Sequence, residues 1–306
     1  MTTCFCGTTH FARLLDVFVR LLGNDELPLL VLPDSIVVQD MQNCNHAVML
    51  HATLPRSCFP VYHCQKRRLV CFQAPTLSKI LNKGLPAGDD VALRFRLDED
   101  ACLLSVEQSG VLLERHRLHL LLYEPCDMDV DSIPGSLYLH RFTVNLKKFC
   151  AVVARFALFH QQLAFMLLRH RTGDFVVFCA ASGGATCVSN SHVVYQLRDD
   201  EHLQFPPHPV KVKKEEETVI SDDDDDSQEA KDDDDIVDEL GLEGAEKFVS
   251  ATYNIKFLQP LNHMAPLAEL ATFNVRPEYV LKIDMQLRAG FGDVSYFVSP
   301  EVELNQ

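Results

Sequence analysis

The sequence predicts an α+β fold of two similar halves. Three observations carry this. A proline-bracketed stretch, Pro125 to Pro134, divides the chain; an amphipathic helix stands near the start of each side; and most other apolar residues alternate with polar ones at the period of strands.

The divider mixes Asp127, Asp129 and Asp131 with isolated Met128, Val130 and Ile133, a pattern that buries no helix face. It reads as a connector at 125–134 between domains at 1–124 and 135–306. In the first half, Phe11 to Leu22 places Leu14, Leu15, Phe18, Leu21 and Leu22 on one helical face, and Gly23-Asn24 supplies the stop. Strand patterns follow at Leu29 to Leu32, Ile36 to Met41, Ala47 to Thr53 and Leu69 to Phe72. A short helix at Leu77 to Asn82 then leads to strands at Val91 to Leu97, Leu103 to Gln108 and Leu112 to Leu122.

The second half repeats the order. A strand at Leu137 to Val144 precedes Asn145, an N-cap for a helix reaching Leu158. Strands are expected at Leu163 to Arg169, Phe175 to Ala180, His192 to Gln196 and, after the acidic segment, Phe248 to Thr252. A late helix over Asn254 to Leu270, kinked at Pro260, precedes strands at Thr272 to Val275, Val280 to Leu287 and Val294 to Val298. Two helices among many strands in each half describe a duplication, not an alternating βαβ series.

The formal charge of -15 belongs to one segment. Residues 199–246 hold 20 acids and 4 lysines, which leaves 23 acids and 24 Lys plus Arg elsewhere, so the folded remainder is near neutral. Repulsion among Asp222 to Asp226 and Asp232 to Asp235, with few apolar residues to offset ordering entropy, predicts a disordered surface insert. Within it, Val212-Lys213-Lys214-Glu215 resembles a sumoylation acceptor centred on Lys213. Asp232 to Leu240 resembles a SUMO-interacting segment in which Ile236 and Val237 add as an edge strand.

The 11 cysteines are odd in number, scattered, and preceded by no secretory signal, which favours a reducing compartment. Cys4, Cys6 and His10 have a loose metal-like spacing but lack a second cluster, so no metal is expected. Phe149 to Leu168 is apolar but broken by Arg155, His160, Gln161 and Gln162, so no membrane span is expected. Gly183-Gly184 lacks the Lys-Ser or Lys-Thr of a phosphate loop, and neither GxSxG nor HExxH occurs. The chain reads as a non-enzyme without a cofactor.

Basic residues recur on all four helical segments: Arg13 and Arg20, Lys79 and Lys83, Lys147, Lys148 and Arg155, and Lys256. On one common face they would meet a phosphate backbone without reading sequence.

An ordered series of stretches resembles the sliding clamps of the proliferating cell nuclear antigen family. These are Ser35 to Leu50, SIVVQDMQNCNHAVML; Leu77 to Leu81, LSKIL; the connector-like Asp127 to Pro134, DMDVDSIP; Tyr138 with Phe149; Ala181-Ser182-Gly183; and Tyr253 to Val302, with YNIKFL, APL and SYFVSPEVE. The resemblance covers nearly everything but the acidic insert. It implies the DNA-clamp (processivity) fold, with helices on one concave face and antiparallel sheets outside. It also implies a head-to-tail homotrimer around double-stranded DNA, placed there by an ATP-driven loader and holding polymerases and other clients to their template in the nucleus or a viral replication compartment.

The resemblance also implies ring contacts between Leu112 to Leu121 and Phe175 to Ala180, and a client-peptide pocket of Met41, His46, Met128, Val130, Ile133, Pro134, Phe297 and Pro300. Asn82, Ala154 and His263 stand where the family carries basic residues, so weaker and more salt-sensitive DNA attraction is expected. Three alternatives stay open: a subunit of a heterotrimeric checkpoint clamp, a monomeric or dimeric viral processivity factor, and an adaptor or chaperone whose acidic loop binds basic proteins.

Overall fold

The computed structural model describes residues 3–42, 47–83, 91–98, 101–124, 133, 138, 140–181, 192–197, 203–204, 245–277 and 279–300. The connector, apart from Ile133, and the acidic runs with Lys213 lie outside these residues.

The first half runs β1 (Thr3–Thr8), α1 (Thr9–Leu22), β2 (Glu26–Val31), β3 (Ser35–Met41), β4 (Val48–Pro55), β5 (Val61–His63), β6 (Arg68–Gln73), α2 (Ala74–Lys83), β7 (Val91–Leu97), β8 (Ala101–Gln108) and β9 (Val111–His119). The second runs β10 (His140–Asn145), α3 (Leu146–Phe156), β11 (Gln162–His170), β12 (Gly173–Ala181), β13 (His192–Gln196), β14 (Leu203–Gln204), β15 (Glu246–Asn254), α4 (Ile255–Leu258), β16 (Ala268–Val275), β17 (Leu281–Leu287) and β18 (Asp293–Val298).

Helix ends follow the local chemistry. Gly23 takes the left-handed conformation at φ 64 and its N–H donates to Val19 O, closing α1. The Asn145 side chain accepts from the Lys148 N–H, and Asn254 caps α4 in the same way through Lys256. The fourth helix is far shorter than its sequence pattern suggests. Its α-helical turn ends at Leu258, a 3-10 helix carries the chain through Gln259–His263, and Ala268–Val275 is strand. Pro260 lacks the N–H that an α-helix would need, and a tighter helix tolerates it at its first turn. Strands β1, β5 and β14 were not predicted; β5 and β14 have three and two residues, too few to show alternation.

Three antiparallel sheets show the duplication in their strand order. Each half builds a five-stranded unit, β5-β1-β7-β8-β9 and β14-β10-β16-β17-β18, and a four-stranded unit, β6-β2-β3-β4 and β15-β11-β12-β13. The second half's five strands and the first half's four are fused into one nine-stranded sheet by β18 pairing with β4. Phe5 stacks on Phe95 at 4.7 Å between centroids, and their counterparts Phe142 and Phe273 stack at 4.9 Å. One continuous core, with residues from both halves, lies between the helices and the sheet faces beneath them.

Gly292 tightens the β17–β18 turn beside the seam. It sits at φ +110, and a Cβ there would collide with the Thr53 carbonyl oxygen.

Candidate nucleic-acid interface and outer pocket

The four helical segments adjoin in a row. Helix α2 packs on α1, α1 on the 3-10 helix that extends α4, and that 3-10 helix on α3, so one helical layer spans both halves. The layer carries eight Lys and Arg and a single acid, Asp16. Arg13, Arg20, Lys79, Lys147, Lys148, Arg155 and Lys256 are exposed, and Lys83 is the last residue of α2. The structure thus brings the predicted cationic positions onto one layer.

Asp16 is nearly buried and fully engaged. Its Oδ1 accepts from the Ser78 hydroxyl at 2.6 Å and from Asn82 Nδ2 at 2.7 Å, clamping α2 to α1; its Oδ2 accepts from Arg20 Nε at 2.9 Å. Arg20 is therefore partly spent on its own helix, through the i,i+4 pair with Asp16. Asn82, which stands where a basic residue was expected, is used for packing the helices together. His263 faces the same group from the fourth segment; burial, then the Arg20 charge, holds its imidazole below the usual range, against a smaller opposing pull from Asp16. Lys256 Nζ lies 4.7 Å from the centroid of the Phe257 ring.

The strand residues expected to line a peptide pocket, Met41 and Phe297, lie on the opposite side of the nine-stranded sheet. Along β4, Val48, Leu50, Ala52 and Leu54 join the core, so Met49, His51 and Thr53 face outward. Cross-strand register sets Met41 opposite Met49 and Met49 opposite Phe297, one apolar row across the junction of the halves. Met49 and Phe297 are only 3% and 2% exposed although they belong to the outward set and lie outside the main core. Met41, Ile133 and Pro300 are half-buried. His46, Met128, Val130 and Pro134 lie outside the described residues. Sequence reasoning missed Met49; its parity with His51 and Thr53 was the available signal.

Asp40 anchors this row. Its carboxylate accepts from the Tyr123 hydroxyl at 2.8 Å, the Asn24 amide at 2.9 Å and the Met41 N–H at 2.9 Å, so the last residues before the connector are tied to the pocket's edge. A parallel polar row crosses the same junction: Gln39, His51, Ser295, Asp284, Thr272 and Thr143 stand opposite one another in successive strands. His51 bonds Gln39 at 3.2 Å, Ser295 donates to Asp284 at 2.6 Å, and Thr143 and Thr272 share a hydrogen bond at 2.9 Å.

One expected contact region is misplaced. Phe175 to Ala180 lies in β12, which is paired on both sides, by β11 and β13, and has no open edge. The edges of the four-stranded sheet are β13 and β15. The periodicity of Phe175 to Ala180 marks a strand but carries no information on whether its flanks are filled. Among the described residues, no three His, Cys, Asp or Glu come together to hold a metal, and no helix is long and apolar enough to cross a membrane.

A duplicated α+β unit with a shared cationic helix layer and antiparallel sheets behind it is the two-domain DNA-clamp fold. Over 98% of both chains, the structure is similar to the Proliferating Cellular Nuclear Antigen from Entamoeba histolytica, with a TM-score of 0.70 and 14% sequence identity. No family model matches the sequence, and no curated protein matches it.

Proposed function

We propose that this chain is a sliding clamp, a processivity factor that encircles double-stranded DNA and recruits client proteins through the outer pocket. The observation that supports it best is the helix layer, with eight cations and one internally used acid in a chain whose formal charge is -15. Such a surface attracts phosphates without base specificity. The clamp catalyses no reaction of its own; its role is to keep polymerases and other enzymes on their template. Its place of work is the nucleus or a viral replication compartment, and an ATP-driven loader opens it on DNA. The connector occupies 125–134 between domains at 1–124 and 135–306.

The seam inside the chain supports the mode of assembly. Strand β18 ends a five-stranded unit and β4 ends a four-stranded unit, and the two pair. Their counterparts by duplication, β9 and β13, end the other two units with edges that are open among the described residues. Pairing β9 of one copy with β13 of the next repeats the seam between copies and closes a homotrimer. Exposed Val111, Leu112 and Leu113 on β9 and Val194 on β13 supply the apolar surface.

Light scattering at micromolar concentration tests the assembly, with a mass near three subunits expected. Leu112→Asp with Val194→Asp should give monomers and abolish stimulation of a polymerase on circular primed template. A wild-type chain that stays monomeric at every concentration and does not stimulate the polymerase refutes the proposal.

A further inference from the structure

Strands β11 and β12 are buried on both faces. Leu163, Phe165, Leu167, Val176 and Phe178 enter the main core. The alternate residues, Met166, Leu168, Phe175, Val177 and Cys179, form a separate cluster on the far side and are at most 8% exposed. An antiparallel sheet with one side on a core commonly turns a polar face to water. This apolar second face is instead covered.

Among the described residues, Ala164 and Ala245 pack against it. Ala245 is informative because the acidic insert ends there: β15 begins at the next residue, with Glu246 opposite Arg169 and Lys247 opposite Leu168, and Leu168 stands opposite Phe175. The chain arriving from the insert therefore reaches the sheet at the rim of the apolar face.

We propose that this face is the docking site of Ile236 to Leu242, the apolar end of the acidic insert. From Ser221 to Asp235 the only apolar residue is Ala230, whereas Ile236, Val237, Leu240 and Leu242 follow within seven positions. Leu242 is three residues from Ala245 and Ile236 nine, so at about 3.3 Å per residue they reach roughly 10 Å and 30 Å from it, enough to cross two strands about 5 Å apart. Docking ties the C-terminal end of the acidic insert to the sheet. It also withholds Ile236 and Val237 from any partner that would take them as an added strand.

Cys179 lies in the covered face and reports on it. In the full chain, a pulse of iodoacetamide followed by peptide mass spectrometry should leave Cys179 and the core thiol Cys102 unmodified. Replacing Ile236, Val237, Leu240 and Leu242 by Ser should speed Cys179 alkylation by about tenfold or more while Cys102 stays protected. Deleting 207–234, which spares the docking stretch, should leave Cys179 protected, and deleting 207–243 should expose it. Equal protection of Cys179 with and without the four apolar side chains overturns the proposal, as does exposure caused by the shorter deletion.

Discussion

Met49 stands opposite Phe297 in the strand pair that joins the two halves, and both are buried on the side of the sheet away from the helices. An apolar pair in that position lies at the centre of the surface proposed to take client peptides, flanked by Met41 and Pro300. Unbranched methionine adapts to differently shaped ligands.

Replacing Met41 and Ile133 together by Ala should lower affinity for a client peptide by at least about tenfold, the loss of roughly 1.4 kcal/mol or more. Both are half-buried, so the oligomer should persist. Isothermal titration with a peptide carrying aliphatic and aromatic anchors measures the first, and light scattering the second; unchanged affinity would place the pocket elsewhere.

Lys147→Ala with Lys148→Ala should weaken DNA binding uniformly across sequences. If each lysine meets one phosphate, the slope of log affinity against log salt falls by about 2. Fluorescence anisotropy with two unrelated duplexes checks both the slope and the lack of sequence preference.

Asp16→Ala should destabilise the protein by about 1–2 kcal/mol, because Ser78 and Asn82 lose the common acceptor that ties α2 to α1. Asp16→Asn should cost less and release Arg20, steepening the salt dependence of DNA binding. Urea unfolding gives the stabilities; an Asp16→Ala variant as stable as the parent would show that the helices need no such clamp.

Stability should fall as the solution is acidified from neutrality through pH 6. Burial lowers the folded-state pKa of His140, and burial with the Arg20 charge lowers that of His263. A histidine more acidic in the folded state than in the unfolded chain leaves the unfolded state holding more protons. The stabilisation is complete above the ordinary histidine value and is lost as pH drops from there towards the depressed one. Chemical denaturation at a series of pH values should show this slope, and His140→Asn with His263→Asn should flatten it.

Gly292→Ala should cost about 3 kcal/mol or more, since the added methyl meets the Thr53 carbonyl at a backbone angle that side chains avoid. The damage falls on the seam, so the thermal transition should broaden or split in calorimetry. A variant with the parent's single sharp transition would contradict this.

Much of the architecture was legible because it rests on periodicity. The amphipathic stripe ending at Gly23, the Asn145 cap and the alternation of Val91–Leu97 are local signals, and the structure carries them. The fourth helix was over-read because Leu258, Leu261 and Leu267 keep a roughly helical spacing while Pro260 and the return to strand at Ala268 break it. What local pattern cannot carry is adjacency. Nothing in Phe175 to Ala180 tells that β13 fills its flank, nothing in Met49 alone tells that Phe297 lies across from it, and nothing near Asp16 tells that Ser78 and Asn82 reach it from 62 and 66 positions away.

The seam between β18 and β4 joins two unlike ends, and its repetition between copies would impose a direction. Subunits linked tail to head all face the same way, so the two flat sides of the resulting annulus are chemically different. If the annulus encircles a duplex as proposed, an enzyme held at the outer pocket would always meet the same side, and the strand polarity ahead of it would be decided when the annulus is first closed.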